Sequence, residues 1–121
     1  MNESEYNKEV NDLAESCFDE GFKNVAIDNE CFDLWELENN HELDNIIHET
    51  VDGCSLMIYL DLEEAGAIIK YADYEETDSG LWEGQEPEEA IKTKAFFCLR
   101  QDVYSKVEKM LKDLEEEQEE P

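Results

Sequence analysis

Apolar residues recur at three- and four-residue steps through Tyr6, Val10, Leu13, Ala14, Cys17 and Phe18. That spacing lines one face of a helix and predicts a helix over residues 4–20, with Gly21 as its stop. The opposite face then carries Glu5, Glu9, Asp12, Glu15 and Asp19. Residues 24–28 (NVAID) read as a short strand or extended link. Cys31, Phe32, Leu34, Trp35 and Leu37 follow as an aromatic-rich patch. Residues 40–51 read as a second helix, capped by Asn39 or Asn40 and ended by Gly53. Its inward face is Leu43, Ile46, Ile47 and Val51.

Residues 55–72 carry two patterns at once. Leu56, Ile58 and Leu60 alternate as a strand would, yet Ile58, Leu62, Ala65, Ile69 and Ala72 keep helical spacing. The longer pattern favours one helix capped by Ser55. Residues 73–86 read as a polar loop anchored by Trp82. Pro87 then opens a long helix, where its missing N–H costs nothing. Ala90, Ile91, Ala95, Phe97, Cys98, Tyr104, Val107, Met110, Leu111 and Leu114 form its apolar stripe. The expected fold is mostly α: a single small domain over residues 1–114 of about four helices, with a long C-terminal helix. Residues 115–121 (EEEQEEP) are expected to fray as a disordered acidic tail. The competing reading is α+β, with a short strand pair at 24–28 and 54–60.

Charge changes this picture most. The chain of 121 residues holds 35 Asp and Glu against 9 Lys and Arg, a formal net charge of −26. Residues 1–91 hold 27 acidic residues against Lys8, Lys23 and Lys70, a net of −24. Small soluble domains are comfortable at a magnitude of ~2–8. Five Phe, five Tyr and two Trp supply the core that a disordered polyanion lacks. Direct binding to DNA or anionic lipid is excluded, since both demand a basic surface. The acidic N-terminus and the lack of a long apolar run point to a cytoplasmic protein with no membrane partner.

Candidate chemistry is sparse. Residues 75–86 have the length of an EF-hand loop, with Gly80 at position 6 and Glu86 at position 12. Position 1 is Glu75 and position 8 is Trp82, so calcium binding there is the alternative function and not the leading one. His41 and His48 fall too far apart on one helix to share a metal, and the four cysteines form no C-x-x-C. No nucleophile context or phosphate loop accompanies the carboxylates. The expectation is a protein that is not an enzyme and uses no cofactor or metal.

The charge itself is the strongest candidate. Duplex DNA carries one charge per ~1.7 Å, so 26 charges match about 44 Å of duplex. A chain this size folds into roughly 35 Å. Acidic residues one helical turn apart lie about 5.4 Å from each other, close to phosphate spacing. The expected binding residues are Glu5, Glu9, Asp12, Glu15 and Asp19, with a second cluster of Asp73, Glu75, Glu76 and Asp78. The expected partner is a host nucleic-acid-binding protein with a basic groove, with homo-oligomers left open. A third function class is an accessory module that binds through its hydrophobic surface, with the charge serving solubility.

In size, acidity and helical periodicity the chain resembles the phage DNA-mimic proteins, which block restriction enzymes and other host nucleic-acid-binding proteins. That resemblance implies an anti-restriction or anti-CRISPR inhibitor and assigns no role to any single residue. HETVDG (48–53), MIY (57–59), GLWEG (80–84), AFF (95–97) and DVY (102–104) resemble segments of small tailed-phage and prophage proteins. This second resemblance implies a phage origin and no activity.

Overall fold

The first helix starts where a side chain can cap it. In the computed structural model, which describes residues 1–73 and 87–119, Asn2 precedes helix α1 (Glu3–Cys17). The Glu5 N–H donates to Asn2 Oδ1 at 2.8 Å. This satisfies one of the amides that every helix start leaves unpaired. Tyr6, Val10, Leu13, Ala14 and Cys17 are its buried face, as their spacing predicts.

Gly21 does not stop the chain. One turn of π-helix (Phe18–Phe22) follows α1 and runs directly into α2 (Lys23–Asn29). The glycine lies under the next layer instead: a Cβ built on it would stand 2.9 Å from the terminal methyl Cδ1 of Ile46, which would have to shift, and 3.5 Å from Leu43 Cδ2. The NVAID stretch is therefore helical, and the strand expected over 24–28 is overturned.

The helical run ends at Glu30, which takes the left-handed conformation with φ of 51°. There the Cys31 N–H closes onto the Ala26 carbonyl at 3.0 Å. A glycine usually holds this position, because a Cβ in the left-handed region costs about 1 kcal/mol or more. Glu30→Gly should therefore stabilise the chain by about 0.5–1 kcal/mol, after the extra entropy glycine gives the unfolded state. Chemical denaturation of the variant beside the parent chain checks this.

The helix expected over 40–51 begins only at Ile46, and a separate helix forms before it in the aromatic-rich patch, so Asn39 and Asn40 lie inside that earlier helix and cap nothing. α3 (Leu34–Asn40) is capped by Asp33, which accepts the Trp35 N–H at 3.0 Å. α4 (Ile46–Asp52) begins after Asn45. Between them Glu42 sits at φ of 60°, and the Leu43 N–H bonds back to the Leu37 carbonyl at 3.3 Å. Leu34, Leu37, Leu43, Ile47 and Val51 are all buried. No single straight helix carries all five inward from this register, so the chain turns.

The helix expected over 55–72 also divides. α5 (Ser55–Ile58) is one short turn, and α6 (Leu62–Tyr71) restarts after Asp61. Asp61 accepts the Glu64 N–H at 2.8 Å, whereas no side chain caps α5. A carboxylate at the second site wins over Ser55 at the first. No strand forms among the described residues, so the α+β alternative fails at 54–60 as well.

α7 (Pro87–Glu119) is the spine. Its 33 residues span about 50 Å at 1.5 Å per residue. Helices α1, α4 and α6 lie along it, and α2 and α3 reach it too. Its buried stripe is Ala95, Cys98, Leu99, Val103, Val107, Leu111 and Leu114. Leu99 and Val103 were absent from the expected stripe, while Ile91 turns out exposed. Residues 115–119 continue this helix, against the expected disordered tail. The result is a mostly helical small domain with a long C-terminal helix. It has more and shorter helices than the four expected.

Candidate interaction surface

The acidic face of α1 forms as its spacing predicts, with one adjustment. Glu5, Asp12 and Glu15 are exposed and fall within roughly 80° of arc at ~100° per residue. Lys8 donates to Asp12 at 2.9 Å across one turn, so part of the Asp12 charge is answered locally. Glu9 is half-buried and stands close enough to Cys54, at the α4–α5 junction, to raise that thiol further after burial has done so. Asp19 is exposed in the π-turn that continues α1.

Of the second expected cluster, Asp73 is exposed at the end of α6. Glu75, Glu76 and Asp78 lie outside the described residues, as do the EF-hand-like stretch 75–86 and Trp82. Asp73 is fixed by its backbone. Its N–H donates to Asp102 Oδ2 at 3.1 Å. The same oxygen accepts the Tyr6 hydroxyl. Asp102 is the buried charged residue of the described core, 9% exposed, and Tyr6 is 2% exposed. One carboxylate of α7 thus ties α1 to the end of α6.

An open cleft of about 690 Å³ lies over this junction, and Asp73 shares it with Asn7 and Asn11 of α1 and with Lys106 and Lys109 of α7. The structure therefore sets Asp73 against the asparagine edge of α1, beside the acidic face and not within it. Sequence reasoning missed this device. Its one signal was an aspartate, Asp102, placed among the apolar positions Cys98, Leu99 and Val103.

Burial pushes the Tyr6 hydroxyl far above the usual tyrosine range, and its bond to Asp102 adds to that. A tyrosine whose folded pKa is raised holds its proton while the unfolded chain loses its own above about pH 10. The stability it contributes is present below that pH and is lost as pH rises. Tyr6→Phe should cost about 1.5–3 kcal/mol at neutral pH, the range for losing a hydrogen bond to a charged group. Its decline above pH 10 should be shallower than that of the parent chain. Urea titrations at neutral and alkaline pH check both effects.

A second cleft of about 600 Å³ lies between the α3–α4 turn and α7, and includes Glu38, Asp44, His48, Arg100 and Tyr104. Burial raises the Glu38 carboxyl, Arg100 pulls it back, and Asp44 raises it again. The Tyr104 hydroxyl is also raised, by burial and then by Glu38, Glu108 and Asp33. The His48 ring stands edge-on to Phe96 with centroids 5.2 Å apart. His41 ends α3 and His48 lies on α4, so they share no helix, contrary to the spacing argument.

The described residues contain no group of three His, Cys, Asp or Glu able to hold a metal. None of the four cysteines is in a disulfide, and burial raises Cys17, Cys31 and Cys54. Raised thiols are poor nucleophiles at neutral pH. Cys31 donates instead to Glu36 at 3.2 Å. Among the described residues no helix is long and apolar enough to cross a membrane.

No family model, curated protein or solved structure matches the chain. Its surface must be read from its own residues. Residues 1–73 hold twenty carboxylates, and all but Glu9, Glu38 and Glu64 are exposed. They share that stretch with three lysines. The dominant property of the surface is attraction for cations over a wide area, with α1 as its longest regular acidic face.

Proposed function

We propose that this chain is a non-enzymatic acidic binding protein that imitates the charge of nucleic acid. In this reading it inhibits a host DNA- or RNA-binding protein by occupying its basic groove, in the manner of phage anti-restriction or anti-CRISPR proteins. It would act in the host cytoplasm. The observation that carries the reading is the seventeen exposed carboxylates of residues 1–73, eleven on helices and six at the caps and turns between them, with three lysines to answer them.

Fixed helices matter to this reading. A rigid array of charge meets a groove without the ordering cost that a flexible polyanion pays on binding. The self-repulsion of −26 also opposes folding, and a surface kept against that cost fits one used for binding. Complementary charge of this kind speeds encounter and selects partners by sign, while shape and a few aromatic anchors supply specificity. Trp35, 62% exposed on α3, suits such an anchor.

The test is capture from bacterial lysate on the tagged chain, with washes at low and high salt and duplex DNA as competitor. The expected result is a nucleic-acid-binding protein that salt releases and DNA displaces. A partner that resists both would leave the charge a solubility role and overturn the reading.

A further inference from the structure

One of the two longest apolar runs in the chain, 56–60, is only partly used by the core: Leu56, Met57 and Leu60 pack against it, and Ile58 and Tyr59 do not. Leu56, Met57, Ile58, Tyr59 and Leu60 are five consecutive apolar residues, and none is buried. Helix α5, which holds the first three, contributes no buried residue at all. Ile58 is 61% exposed, Tyr59 79% and Leu62 42%. Single exposed apolar residues are ordinary, but Ile58, Tyr59 and Leu62 stand together within five residues, and a grouped apolar patch is the kind that a partner covers.

The run also shapes a groove. Met57, Ile58 and Leu60 line a shallow depression of about 420 Å³ with Phe96 of α7. Asp52 and Lys92 stand in the same lining. Exposed Asp61 and Glu63 flank the run in the chain. Glu88 and Glu89 lie one turn before Lys92 and Thr93 on the same side of α7, since residues four apart share a helix face. The groove at this corner is thus apolar at its centre with one acid and one base in its lining, and the chain next to it carries four more exposed carboxylates, Asp61, Glu63, Glu88 and Glu89.

We propose that this corner is a docking site for a cationic protein segment, one that seats an apolar side chain in the groove and sets lysine or arginine against the surrounding carboxylates. Charge chooses this occupant. A second copy of the chain would bring another −26 and the same acidic edge against this one. A neutral apolar segment would cover the carboxylates without pairing them, which costs desolvation. A basic segment with an apolar centre answers both parts. The inference rests on the function proposed above for the sign of its partner, and adds the place where apolar contact anchors it.

The test uses two synthetic helical peptides of equal positive charge, one with a leucine face and one with glutamine in place of each leucine. Fluorescence anisotropy at low salt reads their affinities for the full chain. The leucine-faced peptide should bind about tenfold more tightly, the scale of a small hot spot. The double substitution Ile58→Ser with Tyr59→Ser should bring the two affinities together. Both residues are exposed, so the melting temperature should hold, and Tyr59→Ser alone should give part of the same loss. Equal, salt-sensitive binding of both peptides to the parent chain overturns the docking corner and leaves the acidic-surface reading standing. A leucine preference that survives the double substitution also overturns it. Binding of neither peptide overturns both readings.

Discussion

Reversing Glu5, Glu15 and Asp19 to lysine together is expected to weaken binding to a basic partner by roughly a hundredfold at low salt. All three are exposed on α1 and the π-turn, and their reversal leaves the Lys8–Asp12 pair in place. Each lost contact is of order 1 kcal/mol and becomes a repulsion, while every 1.4 kcal/mol is about a factor of ten in affinity. The loss should shrink as salt rises, because screening acts over about 10 Å at 0.1 M. Folding should survive, since the variant lowers the net charge and with it the self-repulsion. The control is reversal of Glu115, Glu116 and Glu117 at the exposed end of α7, which changes the net charge equally. Isothermal titration of both triple variants separates a local face from bulk charge. Equal losses in the two would mean that total charge alone attracts the partner.

The second large effect is on stability. Leu99→Ala should destabilise the fold by about 2–5 kcal/mol, the range for deleting a buried leucine and leaving a cavity. Leu99 is 0% exposed and lies mid-stripe on α7, the helix every large element packs against. Domains of this kind hold only about 5–15 kcal/mol in reserve. Self-repulsion draws on that same reserve, so the variant should approach unfolding in low salt and recover as salt is added. Thermal melts across a salt series check this. A melting temperature within a degree or two of the parent chain, equal to well under ~1 kcal/mol at this size, would mean that α7 is not the packing centre described.

Helicity was legible because the apolar spacing of α1 and α7 repeats over several turns. Boundaries were less so, since they depend on competition between local caps and distant packing. Ser55 and Asp61 both offer a helix start, and only the structure shows Asp61 accepting an amide while α5 lacks a side-chain cap. Gly21 reads as a stop in the sequence, yet the helical run continues through it beneath Ile46 and Leu43, more than twenty residues away. The run over 56–60 fits a strand or a helix, because Leu56, Met57 and Leu60 touch the core while Ile58 and Tyr59 face out, a mix that follows neither period.

The acidic face was legible for a different reason. Charged residues on a helix default to solvent, so Glu5, Asp12 and Glu15 could be placed from spacing alone. Glu9 and Asp73 could not. Their surroundings come from the α4–α5 junction and from Asp102, which the sequence does not bring near them. Asp102 itself breaks the rule that stripes are apolar, and such breaks mark the places where one side chain joins several elements.

The most direct measurement is the salt dependence of affinity for the captured partner, taken for this chain and for duplex DNA in the same buffer. The account predicts that log affinity falls steeply with log salt for both, that each ligand excludes the other, and that the Glu5, Glu15 and Asp19 reversal flattens the slope for this chain. A flat slope for the parent chain, or a complex that binds DNA and this protein at once, would contradict it.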